Sequence, residues 1–178
     1  MDILTVPKHL SRRRLVGVTL LAWVGVLGFD LILHGAVLSS FYVQESSFLL
    51  PPLESFRRIP LGYLSFLITT IFLAWLIAKL EVQGWRGGLV VGGLVGGVIW
   101  ISLSIGMYSI STAPSSLLFG WVIGQTLEMA YAGAVIGQGF YVDRTRKLAI
   151  TVLLLTLGFI VLTVILQSVG LAQAVKIS

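Results

Sequence analysis

An apolar run at residues 15–37, LVGVTLLAWVGVLGFDLILHGAV, decides the fold class of this protein. The run is long enough to cross a bilayer, because a transmembrane helix needs about 20 residues. A cleavable signal sequence has a shorter apolar region of about 7 to 15 residues, so we interpret the run as a retained first span. Two ionisable residues, Asp30 and His34, interrupt it one helical turn apart.

The composition of the whole chain is that of a membrane protein. Of its 178 residues, 57% are hydrophobic and 11% are charged, whereas soluble domains carry about 25% charged residues. The sequence has no cysteine, which excludes disulfides and thiolate chemistry. The net charge of +5 comes from basic residues at the ends of apolar runs, so we expect contacts with anionic lipid and no nucleic-acid binding. The residues assigned to these lipid contacts are Arg12, Arg13, Arg14, Arg144, Arg146 and Lys147.

Five apolar runs predict an all-α fold, a polytopic membrane helix bundle with five transmembrane helices in one domain at residues 15–170. The predicted spans are residues 15–37, 60–80, 87–110, 117–141 and 148–170. A basic cytoplasmic tail, residues 1–14, precedes the domain, and a short C-terminal tail, residues 171–178, follows it.

The distribution of lysine and arginine predicts the orientation of the bundle. With the N-terminus inside, nine of these residues lie on the cytoplasmic side and three on the opposite side. The positive-inside rule therefore favours an N-in, C-out topology.

The longest connection lies between the first two predicted spans and contains three helix-breaking prolines, Pro51, Pro52 and Pro60. Its apolar residues predict a segment lying in the membrane interface, with one helical turn, or an irregular loop packed over the helix ends.

The third predicted span is rich in glycine with GxxxG-type spacing. One stripe contains Gly88, Gly92 and Gly96, and a neighbouring stripe contains Gly93 and Gly97. Such faces let membrane helices approach closely, so we expect this span to be a central helix packed against more than one partner. The fourth span repeats the spacing at Gly120, Gly124, Gly133 and Gly137.

Ionisable residues inside a span are candidates for function because they are costly in hydrocarbon. Asp30 lies about 10 Å from the outer end of the first span, and Glu128 lies about 16 Å from the same surface. If the first and fourth spans touch, Asp30, His34, Gln125 and Glu128 form one buried polar cluster. The residues expected to cover it from outside are Tyr42, Tyr108 and Ser104.

Two interpretations of this cluster stay open at this point. Its side chains could join helices through hydrogen bonds worth about 0.6 kcal/mol each, or an acid, a histidine and a second acid could form a proton relay or cation site. A metal site is not predicted, since one histidine and two acids specify no particular ion. No catalytic motif surrounds the serines. Tryptophans near the span interiors leave pigment or quinone contact as an alternative, although lipid contact and packing explain most of them and no cofactor is predicted.

The sequence resembles a group of small, functionally uncharacterised bacterial integral membrane proteins. The first span fits their D/E-x-x-x-H-G-x-x-L pattern in DLILHGAVL, followed by Tyr42, and the fourth fits W-x-x-G-x-x-L-E-x-x-x-A-G in WVIGQTLEMAYAG. The resemblance covers about residues 15–140 and includes the glycine-rich third span. It implies a bacterial inner-membrane location and groups Asp30, His34 and Glu128 together. It supplies no activity, and the last span looks like an addition to a four-span group.

We therefore expect a non-enzymatic accessory subunit that packs laterally against other subunits of a larger respiratory or photosynthetic membrane complex. The alternative is a small proton- or ion-coupled transporter that uses Asp30, His34 and Glu128. A membrane enzyme or sensor with a lipid-like ligand is a third class, for which no motif is present.

Overall fold

Helices account for most of the residues that the structure describes. The computed structural model describes residues 10–44, 46–141 and 145–174. Within these residues lie six α-helices and one π-helical segment, Leu33–Val37, which connects the first two helices. The α-helices are α1 (Arg12–Ile32), α2 (Ser39–Val43), α3 (Pro52–Lys79), α4 (Gly84–Ile110), α5 (Ser115–Tyr141) and α6 (Thr145–Ser168).

Within the described residues, four stretches are long and apolar enough to cross a membrane: Arg12–Val37, Pro52–Lys79, Gly84–Ile110 and Thr145–Ser168. They correspond to the predicted first, second, third and last spans. The predicted fourth span is α5, which has 27 residues but is not among the four, because Gln125, Glu128 and Gln138 lower its hydropathy. The protein is thus an all-α membrane bundle with four candidate spans.

Local capping chemistry explains where the first helices begin. The hydroxyl of Ser11 accepts a hydrogen bond from the backbone N–H of Arg14 at 3.2 Å, so Ser11 is the N-cap of α1. Helix α3 starts with Pro52 at its first position, where the missing N–H costs nothing. Pro60 lies inside α3, so the prediction that this proline breaks the helix was wrong, and α3 begins at Pro52, before the start of the predicted second span. The connection before α3 contains a short helix, α2, which agrees with one of the two forms predicted for it.

Helix α5 occupies the centre of the bundle. It packs extensively against α4 and also contacts α1, α3 and α6, whereas α4 has α5 as its one extensive neighbour and touches α3 only marginally. The prediction that the glycine-rich third span is the central helix was wrong. The glycines of α4 pack closely against one helix, α5. The less apolar helix α5 is the one that the other helices surround.

Contacts at the helix ends fix the relative directions of the helices. Near the start of α1, the Arg14 side chain bonds the carbonyl of Gly139 close to the end of α5, so these helices are antiparallel. The backbone N–H of Trp85, at the start of α4, reaches Gln138 of α5 in the same way. Helix α6 runs parallel to α1, since Gln167 near its end bonds Gly35. We call the end with the N-termini of α1, α4 and α6 the basic end.

The hydrophobic core lies where α1, α3, α5 and α6 meet. It contains Val18, Ala22, Val26, Leu73, Ala74, Ile77, Ala132, Ile136, Phe140 and Val152. Outward-facing apolar residues cover α3, α4 and α6, as in Leu94 and Val98, which are 64% and 71% exposed. Exposed aliphatic surface of this extent is the surface that lipid covers.

Candidate functional site: an intramembrane polar cluster

The site begins in the last turn of α1 and the residues that follow it. Asp30 and His34 share a helix face, and Nε2 of His34 lies 3.2 Å from Oδ1 of Asp30. Both side chains are mostly buried, with 15% of the Asp30 side chain and 26% of the His34 side chain exposed. The predicted pairing of an aspartate and a histidine one turn apart is therefore a direct contact.

A π-helical turn follows immediately and sets the direction of the chain beyond His34. The N–H of Leu38 bonds the carbonyl of Leu33 at 2.8 Å, the i to i+5 spacing of a π-helix. Side chains satisfy the neighbouring carbonyls, since Gln167 of α6 donates to Gly35 and Ser39 donates to Ala36, both at 2.8 Å. Such π-turns occur frequently at functional sites. The sequence contains no pattern that predicts this turn.

The redirected chain places Tyr42 of α2 over the imidazole. The Tyr42 hydroxyl lies 2.7 Å from Nδ1 of His34, and the indole Nε1–H of Trp121 on α5 donates to the same hydroxyl oxygen at 2.6 Å. Burial raises the pKa of Tyr42 above its ordinary value, against a smaller lowering effect of the Trp121 hydrogen bond. The hydroxyl therefore keeps its proton at neutral pH.

Helix α5 contributes the inner half of the site. The amide nitrogen of Gln125 lies 3.0 Å from Nε2 of His34, and Gln125 also hydrogen-bonds the carboxyl group of Glu128. Gln125 and Glu128 are 2% and 1% exposed. The first and fourth predicted spans thus meet at these side chains. We define the polar cluster as Asp30, His34, Tyr42, Trp121, Gln125 and Glu128.

The imidazole of His34 has partners for either of its neutral tautomers. With its proton on Nε2, it donates to Asp30 while Nδ1 accepts from the Tyr42 hydroxyl. With its proton on Nδ1, it donates to Tyr42 while Nε2 accepts from the Gln125 amide. A histidine that is satisfied in both states has the chemistry of a proton shuttle.

Two buried polar atoms next to the cluster have no hydrogen-bond partner within the described residues: Oε2 of Glu128 and the hydroxyl of Tyr131. They belong to residues three positions apart on α5, which share a helix face. Unpaired buried polar groups are costly, so they mark a place where a proton or water molecule would be favourable. Among the described residues, no group of three histidine or acidic side chains is arranged to hold a metal ion.

Tyr108 does not join the polar cluster. It lies near the end of α4 with 68% of its surface exposed, so its expected place over the cluster was wrong. Ser104 is buried, but its hydroxyl bonds the carbonyl of Leu118 at 3.4 Å. Trp121, which the polar-cluster prediction left out, takes the capping position. Its spacing from Gln125 and Glu128, four and seven residues, was the sequence signal that places all three on one face.

The closest helix contact in the molecule is made by one glycine stripe of α4. A Cβ atom on Gly88 would overlap the carbonyl oxygen of Gly133, and one on Gly92 would overlap that of Met129. Gly96 faces the Met129 side chain, with a Cβ distance of 2.7 Å. On α5, Gly133 and Gly137 face the backbone of Gly88 in return. These five glycines lie at the α4–α5 interface.

The other predicted packing glycines have different surroundings. Cβ atoms at Gly93 and Gly97 would lie 3.6 and 3.9 Å from the nearest α5 side-chain atoms, which is ordinary contact. The second stripe of α4 is therefore not tightly packed within the chain. Gly120 and Gly124 face Leu38 and Leu33 rather than another glycine.

Two glycines of α1, for which the sequence did not predict close packing, are also tightly packed. A Cβ on Gly25 would lie 2.8 Å from the Tyr131 ring, and one on Gly28 would lie 2.8 Å from Thr156 of α6.

The predicted lipid-contacting residues lie at the basic end. Arg12, Arg13 and Lys147 are exposed at the starts of α1 and α6, and so is Arg146. Arg14 is half-buried, with its Nε donating to Gly139 at 2.9 Å. Arg144 lies outside the described residues, as do residues 1–9 and 175–178 of the predicted tails.

Comparison with known proteins adds no assignment: no family model matches the sequence, and neither a curated protein nor a solved structure matches the chain. The fold and the polar cluster define a multi-pass helical membrane protein. The family resemblance of the first and fourth spans stays a prediction.

Proposed function

We propose that this chain is a small, non-enzymatic proton-translocating transporter in which the polar cluster carries the proton. The observation that supports it is the position of His34, which lies within hydrogen-bond distance of Tyr42 at Nδ1 and of Asp30 at Nε2, so that its proton has a partner on either ring nitrogen. The Gln125 amide orients the imidazole and does not itself relay the proton.

The direction of transfer follows from the position of each member. Tyr42 lies beyond the candidate span Arg12–Val37, at the end opposite the basic end, so it is the entry point for a proton from that surface. Glu128 lies on the central helix, and its Oε2 has no hydrogen-bond partner among the described residues. Glu128 is the acceptor in this scheme, with a water molecule at Oε2 carrying the proton from His34. Release toward the basic end would take place in a second arrangement of the helices, as in alternating-access carriers.

The scheme also requires α5 to cross the bilayer as a fifth span, with the N-terminus inside. The helix directions support this, because α1 and α6 run parallel while α5 runs antiparallel to α1 and α4. The excess of basic residues at the ends assigned to the cytoplasm supports N-in and C-out. Burial of α5 among its neighbours explains how a helix with two glutamines and a glutamate tolerates the membrane.

Proton flux in proteoliposomes tests the proposal. A potassium gradient with valinomycin drives proton entry, which an enclosed pH-sensitive dye records. We expect faster entry than in protein-free liposomes, and entry at the protein-free rate for Glu128→Gln. Thr70→Val is the matched control, because Thr70 is equally buried and its hydroxyl donates to the Phe66 carbonyl of its own helix. Equal rates for the wild type and Glu128→Gln, or for the wild type and empty liposomes, would refute the proposal.

A second candidate function, an accessory subunit of a larger membrane complex, is favoured by the outer face of α4. The loosely packed stripe of Gly93 and Gly97 lies beside Val90, Leu94 and Val98, which are 56–71% exposed. Co-purification with one defined complex in mild detergent tests this candidate, with Leu94→Trp expected to abolish it. Isolation of the native chain without other subunits would argue against it.

A further inference from the structure

A cavity of about 610 Å³ lies at the basic end, between the first turns of α1 and α6. Its walls come from two segments about 130 positions apart in the sequence. The lining residues are Arg13, Arg14, Gly17, Val18 and Leu21 from α1, and Thr145, Arg146, Leu148 and Ala149 from α6. The cavity is basic at its mouth and apolar along its depth.

The positive charge is concentrated where the two helices begin. Arg13 and Arg146 are exposed on opposite walls of the cavity. Arg14 contributes a third guanidinium group, whose Nε–H donates to the Gly139 carbonyl. Two helix N-termini, each with the positive end of a macrodipole, lie at the same place. No acidic side chain is among the described residues that line the cavity.

The apolar part has room for a hydrocarbon chain. Gly17 is exposed, and a Cβ atom built on it would meet no other atom within 4 Å. Leu21, Leu148 and Ala149 continue the surface into the depth of the bilayer. The cavity therefore lies at the membrane boundary, open to the lipid and with an aliphatic wall.

We propose that this cavity is a binding site for one anionic glycerophospholipid, whose phosphate lies between Arg13 and Arg146 and whose acyl chain passes over Gly17. Guanidinium groups bind phosphate oxygens in bidentate pairs, and basic pockets between membrane helices bind anionic head groups. The site joins α1 to α6 at their first turns. It is independent of proton transfer through the polar cluster.

Native mass spectrometry of the purified full chain tests the site by the lipid that it retains. With equal amounts of phosphatidylglycerol and phosphatidylcholine added, we expect the wild type to retain phosphatidylglycerol in preference. Arg13→Gln combined with Arg146→Gln should lower this retention about tenfold or more, since each basic residue near a membrane surface contributes comparably. The matched control, Arg57→Gln with Arg58→Gln at the opposite end, removes the same charge and should leave retention unchanged.

A second pair of variants tests the acyl groove with all charges in place. Gly17→Leu should fill the groove and lower retention, whereas Gly158→Leu, at another open position on α6, should not. Equal retention of the two lipids by the wild type, an equal loss in the Arg57 and Arg58 control, or full displacement by inorganic phosphate would overturn the proposal. Retention unchanged by Gly17→Leu would overturn the acyl-chain position.

Discussion

The amide nitrogen of Gln125 lies 3.0 Å from Nε2 of His34, although 91 positions separate the two residues in the sequence. This contact fixes the position of α5 along its own axis relative to the end of α1. A shift of α5 by one residue would rotate Gln125 by about 100° away from the imidazole, because an α-helix has 3.6 residues per turn. The same register places Trp121 at Tyr42. One pair therefore sets the geometry of the whole polar cluster.

Two tyrosines at the cluster should respond differently to loss of the hydroxyl group. Tyr42→Phe leaves the indole N–H of Trp121 and Nδ1 of His34 without their shared partner, which should lower the free energy of unfolding by about 1–3 kcal/mol. Tyr131→Phe removes a hydroxyl that has no partner among the described residues and should be neutral or slightly stabilising. Denaturant unfolding in detergent measures both, and an equal loss would show that the Tyr42 bonds contribute nothing to stability.

The α4–α5 contact should distinguish two adjacent glycines. Gly92→Ala would place a methyl group on the carbonyl oxygen of Met129, and the helices would have to separate, at a cost of about 1–3 kcal/mol or more. Gly93→Ala meets Ala130 at 3.6 Å and should gain stability from the higher helix propensity of alanine. Thermal unfolding of the two variants gives the comparison. If both lose stability equally, backbone contact at Gly92 is not the cause.

Much of the fold could be predicted from the sequence because a bilayer requires each transmembrane helix to have about 20 mostly apolar residues. Each predicted span overlaps a helix, and the meeting of Asp30 and His34 with Gln125 and Glu128 followed from depth and helix face. The central position of α5 could not be predicted in this way. Glycine spacing shows that a helix is closely packed, but the number of its neighbours depends on tertiary arrangement.

The outer part of the site was less predictable because it depends on a change of helix type. A π-turn at residues 33–37 redirects Tyr42 onto His34, and its carbonyls are satisfied by Gln167, far away in α6. No local pattern encodes such long-range compensation. Tyr108 had a suitable depth and residue type, but its helix turns it outward. The depth of a residue along its span can thus be predicted from the sequence, whereas the rotation of the helix about its axis cannot.

Gln167 should stabilise the π-turn. Gln167→Leu leaves the Gly35 carbonyl without the donor that lies 2.8 Å away, and the average cost of such a loss between membrane helices is about 0.6 kcal/mol. The effect should be local, with faster amide hydrogen exchange at residues 33–43. Ser168→Ala is the matched control, because Ser168 is exposed and its hydroxyl donates to the Val164 carbonyl of its own helix. Unchanged exchange in Gln167→Leu would mean that α6 is not needed for the turn.

His34→Gln tests whether the imidazole passes a proton or only joins helices. Glutamine keeps one donor and one acceptor but has no second tautomer through which a proton is relayed, so proton flux should fall at least about tenfold, equivalent to about 1.4 kcal/mol in the barrier. The double variant with Glu128→Gln should show the same protein-free rate as Glu128→Gln alone, because both residues lie on one path. Flux in proteoliposomes, normalised to the amount of folded protein, measures all three. Wild-type flux in His34→Gln would leave His34 with a structural role only, and flux in the double variant above that of Glu128→Gln would contradict a single path.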